Sequence, residues 1–232
     1  MQNHFTSLLI FLFLAAIVGL AYTKPLTGST TQELSPVFRP AGELAKRIDL
    51  CRQRLTTRGW PLFTEEFILA DVALQPERRF NNFSGDLSGR YLGALAMLPP
   101  KDKPLDLRGL VKRMISYQRA DGRFGNPDLK FAAEEIGPEH MALLWGNGRL
   151  LVGLLEYYSV EQDRKALDAA IHLGDFLTTV RKECSVPQVR ERLEGQGANG
   201  YICFTQLIEG LVLLSQSNGN RAYLETAKEI VP

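Results

Sequence analysis

Residues 137–158, "GPEHMALLWGNGRLLVGLLEYY", decide how the rest of the chain is read. The second half is an apolar helix. The first half carries His140, Trp145, Asn147 and Arg149, with Gly146 and Gly148 between them. A glycine inside a helix costs about 1 kcal/mol against alanine, a cost that makes sense where a ligand or a second backbone approaches closely. Two readings follow. Either this end faces a cavity, or a satisfied core histidine sits beside a core tryptophan and the glycines serve tight helix contact.

The same helix opens a repeated unit. "LLVGLLEYYSVEQDRKALDAA" (150–170) aligns without a gap on "LIEGLVLLSQSNGNRAYLETA" (207–227), placing Gly153 on Gly210, Leu154 on Leu211, Arg164 on Arg221, Leu167 on Leu224 and Ala170 on Ala227. A helix, a short polar turn and a second helix at such a period make an array of αα-hairpins. Each hairpin leaves an apolar face that only a stacked neighbour covers. The expected fold class is therefore all-α, an αα-hairpin array.

Further helical signals surround the repeat. Leu44, Ile48, Cys51 and Leu55 recur at helical spacing in 41–57. Asp86 or Ser88 can cap a helix that Pro99-Pro100 ends, and Asp106 can cap another reaching Gln118 before Asp121-Gly122 breaks it. Helices are expected over 140–160, 163–181, 201–217 and 221–231, with a polar loop over 183–199. The last helix ends at Ile230-Val231-Pro232 without a glycine cap. A six-hairpin ring at this period needs more than roughly 300 residues, so residues 41–232 are read as the N-terminal part of a truncated ring.

Twenty-seven Lys and Arg against 26 Asp and Glu leave a net charge of +1 and no basic run, which excludes an electrostatic nucleic-acid binder. Leu8–Tyr22, "LLIFLFLAAIVGLAY", is uncharged and shorter than a comfortable membrane span of about 20 residues. Residues 1–21 are read as a signal peptide cut after Ala21, with a retained anchor as the alternative. A secreted or periplasmic protein follows, with no membrane contact beyond that segment, and residues 22–40 form a linker or extended arm. Export permits disulfides. Cys51, Cys184 and Cys203 allow at most one, with Cys184–Cys203 nearest in sequence; the alternative is three small buried hydrophobes. Their spacing gives little support to a zinc site. Asn82-Phe83-Ser84 is a glycosylation sequon wherever the source glycosylates exported proteins.

Three polar helix ends carry candidate chemistry. In "RRFNNFSGDLSGRYLGALAML" (78–98), Asp86 and Arg90 stand at i and i+4, able to pair or to grip hydroxyls jointly. In "SYQRADGRFGN" (116–126), Gln118 and Asp121 offer donors and acceptors beside the aromatic Phe124. His140 and Trp145 belong to the third. Helix ends of a hairpin array gather at one rim, so the three ends are expected to border one hollow holding a carbohydrate.

"FSGDLSGRYLGALAML", "YQRADGRFG" and "WGNGRLLVGLLEYY", followed by "SNGNRAYLETA", resemble the N-terminal part of the β-L-arabinofuranosidase-like glycosidases, glycoside hydrolase family 127 and relatives. The resemblance runs from about Phe80 to the end. It implies an (α/α)6 toroid with a sugar pocket at one end and hydrolysis of terminal furanosides. It also implies a zinc-bound cysteine nucleophile and a glutamate acid/base, both downstream of the matching region, so zinc would belong to a longer protein and no cofactor to this portion. Asp86, Gln118, Asp121 and Trp145 carry over as pocket residues. Family members place a histidine where this chain has Gly148-Arg149; His140 lies offset and is added from its position in the polar cluster. Two rivals stay open: another α/α-toroid enzyme, such as a polysaccharide lyase or unsaturated glucuronyl hydrolase, and a non-catalytic helical-repeat binder.

Overall fold

The computed structural model describes residues 40–56, 64–99 and 106–231. They fall into two compact units divided between Lys46 and Arg47. Of the first, residues 40–46 are described and open helix α1, Gly42–Thr56. Everything below concerns the second. Its elements are α2 (Glu65–Leu69), α3 (Asp86–Ala96), α4 (Leu107–Ile115), α5 (Pro138–Glu161), α6 (Arg164–Glu183), α7 (Pro187–Leu193), two 3-10 turns (Gly197–Asn199 and Tyr201–Phe204), α8 (Thr205–Asn218) and α9 (Arg221–Ile230). No strand occurs among the described residues.

The hairpin repeat is real, and its turns explain it. Helix α5 stops at Gln162, whose left-handed backbone (φ 54°) reverses the chain, and Asp163 then caps α6 by accepting from the Lys165 amide at 3.0 Å. Helix α8 stops at left-handed Gly219 (φ 77°), and Asn220 caps α9 by accepting from Ala222 at 3.0 Å. A left-handed residue followed by an Asx cap turns the chain tightly in both copies. Asp106 caps α4 as expected, accepting from Gly109 at 2.8 Å.

Helix α5 packs against α3 on one side and α8 on the other, with its own partner α6 behind it. Helix α6 also touches α4, α8 and α9, and the Tyr223 hydroxyl donates to Asp175 at 2.6 Å across the α9–α6 contact. The first helices α3, α5 and α8 thus form one layer and the second helices α4, α6 and α9 another. This placement gives α5 its odd composition. A helix covered on several sides has no polar face to reserve, and Met141–Leu144, Gly146–Gly148, Leu150–Leu155 and Tyr157 are all buried. Each fully buried leucine there stabilises by about 1.5–3 kcal/mol.

The glycines mark where backbones touch. A Cβ at Gly89 would land on the Arg149 carbonyl, and one at Gly153 on the Gly89 carbonyl, so α3 crosses α5 main chain to main chain. A Cβ at Gly146 would strike the carbonyls of Phe83 and Ser84, and one at Gly148 would come 2.7 Å from the Gln206 carbonyl. Of the two readings of the glycines, close approach of a second backbone is the one observed.

Several expectations need correction. Helix α4 ends at Ile115, not Gln118, because the amides of Tyr117 and Gln118 reach back only three residues, to the carbonyls of Met114 and Ile115. The polar stretch 183–199 is not all loop: Pro187 starts α7, which buries Val189 and Leu193. The α1 stripe is largely exposed at Leu44, Ile48 and Cys51, while Leu55 packs against the core. Cys184 and Cys203 are both buried, and no disulfide joins them. Leu8–Tyr22 lies outside the described residues, among which no helix is long and apolar enough to cross a membrane.

Gly89→Ala should destabilise the protein by about 1–3 kcal/mol, since the methyl meets backbone that cannot step aside. Ala94→Ser, on the exposed side of the same helix, should stay within about 0.5 kcal/mol. Urea denaturation of both variants is the check.

Candidate functional site

The site begins at a buried carboxylate. Asp71 is 2% exposed and accepts from the amides of Gly85 (3.1 Å), Leu87 (3.0 Å) and Ser88 (3.3 Å), as well as from the Ser88 hydroxyl. Those amides are the unpaired donors at the start of α3. Neither Asp86 nor Ser88 caps this helix. The residue at its N-cap is left-handed Gly85 (φ 97°), and the side chain that serves its amides comes from Asp71, in the turn after α2.

With capping done from elsewhere, Asp86 is available. Its Oδ1 accepts from Trp145 Nε1 at 3.1 Å and from Arg90 Nε at 3.0 Å. No partner for its Oδ2 occurs among the described residues. Asp86, Arg90 and Trp145 border a hollow of about 300 Å³, whose opposite wall is the turn carrying Arg78, Arg79, Phe80 and Phe83. Phe83 stands edge-on to Trp145 with centroids 6.3 Å apart, and Phe80 edge-on to Phe83 at 6.4 Å. A carboxylate fixed by two donors beside several aromatic rings can accept from a sugar hydroxyl while a ring covers an apolar sugar face.

The other three expected residues do not border this hollow. Gln118 Nε2 donates to the carbonyls of Gly122 (2.8 Å) and Ala169 (2.9 Å), stapling the Asp-Gly turn to α6. Asp121 accepts from the Arg123 amide at 3.2 Å and lies 2.9 Å from the Arg123 guanidinium, a charge contact without an aligned hydrogen bond. His140 Nδ1 accepts from the Gly137 amide at 3.1 Å, and Nε2 lies 2.9 Å from the Lys130 carbonyl, which makes Nε2 the protonated nitrogen. Burial lowers the His140 pKa. Each of these polar groups is committed to partners away from the hollow. Arg149 pairs with Glu209 on α8 at 2.9 Å, likewise away from the hollow.

Asn147 is the residue that sequence reasoning underrated. Fully buried, it accepts from the Phe124 amide at 2.9 Å and donates to the carbonyls of Ser84 (3.0 Å), Phe124 (3.0 Å) and Leu143 (3.1 Å). One amide therefore ties the hollow's wall and the 116–126 turn to α5. Asp71, Arg78, Arg79, Phe80 and Phe83 also escaped notice. "RRFNNF" held a signal, since paired arginines running into two phenylalanines split by asparagines make a poor core segment.

Among the described residues, no three His, Cys, Asp or Glu side chains gather to hold a metal. Burial pushes the Cys184 and Cys203 thiols up to about 12, far from the thiolate a metal or a substrate carbon requires. These residues do not fit the zinc-cysteine centre that the resemblance implies, and no step is routed through one.

Comparison with known proteins adds to this geometry. The family described as β-L-arabinofuranosidase, GH127 catalytic domain, matches residues 46–232. The chain belongs to that family. The matched stretch of this family 127 chain holds the whole hollow, from Asp71 to Trp145. A solved structure of a GH127 β-L-arabinofuranosidase from Geobacillus stearothermophilus T6 is similar at 17% identity and a TM-score of 0.48, over 79% of this chain and 29% of that one. The chain thus spans less than a third of that relative's length. No curated protein sequence matches.

Asp71 gives the family 127 chain a pH dependence whose sign can be worked out. Burial raises its pKa above the ordinary aspartate value of 3.8, and the Ser88 and Leu87 hydrogen bonds and the Arg78 charge pull it only part-way back. A carboxyl that holds its proton more tightly when folded removes stability as pH climbs from about 4 through its raised value. Asp71→Asn keeps an acceptor for the α3 amides and should flatten that fall. Asp71→Ala should cost about 1–3 kcal/mol at any pH by orphaning the amides. Urea midpoints measured across a pH series separate the two.

Proposed function

We propose that this chain is part of a secreted glycoside hydrolase acting on terminal furanosides, of the β-L-arabinofuranosidase kind, and that the hollow beside Trp145 is one of its sugar subsites. Family membership supports the reaction class, and the uncharged apolar stretch Leu8–Tyr22 supports export. The observation that carries the subsite is the state of Asp86. One oxygen is fixed by an indole and a guanidinium, and the other has no partner among the described residues.

Retaining hydrolysis needs a nucleophile and an acid/base about 5 Å apart. The hollow offers no such pair, since Asp71 is held by the start of α3. Its part in the reaction is to hold and orient a ring, with Asp86 accepting from a hydroxyl and Trp145 supplying the stacking face.

Calorimetric titration with an L-arabinofuranosyl oligosaccharide tests this. The protein should show saturable binding, weakened about tenfold or more by Asp86→Asn, which loses a charge-assisted hydrogen bond. Trp145→Ala should weaken it at least as much. Melting of Asp86→Asn should be close to that of the parent, because Asp71 serves the α3 amides. Absence of binding, or equal binding by Asp86→Asn, would refute the assignment.

A further inference from the structure

The hollow holds more positive charge than a neutral sugar uses. Three guanidiniums border it, Arg78, Arg79 and Arg90, against two carboxylates, Asp71 and Asp86. Arg90 is engaged with Asp86 at 3.0 Å, and Asp71 with the amides of Gly85, Leu87 and Ser88. Arg78 and Arg79 have no carboxylate within ion-pair distance among the described residues. Their guanidiniums lie instead over aromatic rings, Arg78 over Phe67 at 4.2 Å and Arg79 over Phe80 at 4.7 Å.

A guanidinium over a ring is held in place through its face, and its N–H donors stay in its plane and available. The support beneath Arg79 is itself costly. Phe80 is 63% exposed and its backbone is left-handed, with φ 62°. A bulky side chain takes that conformation only where its surroundings impose it, at about 1–3 kcal/mol. Both costs make sense if the exposed ring serves to hold Arg79 at the mouth of the hollow. Arg78 reaches Asp71 only through longer-range attraction, so both planar forks keep donors that match a carboxylate, which each can bind through two parallel hydrogen bonds.

We infer that the hollow binds a sugar bearing a carboxylate: Arg78 and Arg79 take the acid group, Asp86 takes a hydroxyl of the same ring, and the glycan presented to the enzyme is acidic. This rests on the carbohydrate subsite proposed above. The Asp86 charge does not repel the incoming acid, because Arg90 already offsets it.

Two oligosaccharides of one skeleton test the inference. One is an L-arabinofuranosyl oligosaccharide containing a galacturonate unit, the other the same compound with that carboxylate reduced to a primary alcohol. The unmodified protein should bind the acid form about tenfold or more tightly. Arg79→Gln should remove most of that preference, shrinking the ratio of the two affinities toward one. Raising the salt concentration should weaken the acid form alone. Equal binding of both forms overturns the acidic assignment and leaves the sugar subsite standing. Binding of neither overturns both. The comparison of ligands needs no variant, so misfolding of Arg79→Gln cannot mask the result.

Discussion

The contact on which the rest depends is the bare crossing of α3 over α5. The Cα face of Gly89 lies against the Arg149 carbonyl and that of Gly153 against the Gly89 carbonyl, with no side chain between the helices. Helix axes usually stand 8–10 Å apart, at a distance set by the side chains between them, and removing those side chains closes the gap. Asp86 lies one turn before Gly89, and Trp145 two turns before Gly153. Locking the crossing therefore brings carboxylate and indole to 3.1 Å. Separate the helices by one methyl and the pair, and with it one side of the hollow, comes apart.

A second layer of constraint is polar. The turns between α2 and α3 close only local backbone hydrogen bonds, such as Arg78 to Gln75 and Phe83 to Phe80, and two buried side chains add the long-range ties. Asp71 gathers the amides at the start of α3, and Asn147 reaches from α5 to the Ser84 carbonyl and both main-chain groups of Phe124. Buried polar groups left half-satisfied are costly, and fully satisfied ones specify a single arrangement. Both residues have their acceptors and donors filled. The irregular segment that carries Arg79 and Phe80 is consequently anchored at the end where Gly85 enters the helix.

This division explains what could be read from the chain and what could not. The hairpins were legible because each is encoded locally: an apolar period, a left-handed residue, an Asx cap. The Asp86–Arg90 pair was legible for the same reason, as partners one helical turn apart. The shared hollow was legible only in part, since Asp86 and Trp145 meet while Gln118, Asp121 and His140 close their own turns. Donors and acceptors in a sugar-like mix are also what a turn needs, and sequence spacing does not tell the two uses apart. Asp71 was invisible because its partners lie 14 to 17 residues away in an irregular segment.

The distribution of strain completes the picture. A glycine takes the left-handed position at Gly85, where α3 begins and a Cβ would meet Leu150 and the Gly146 carbonyl. A phenylalanine takes the corresponding position at Phe80, where its ring is largely exposed. If conformation alone mattered at 80, glycine or asparagine would serve at lower cost. What glycine lacks is a ring for Arg79 to lie over and a wall for the hollow to end on. The aromatic side chain, not the turn, is what that position requires.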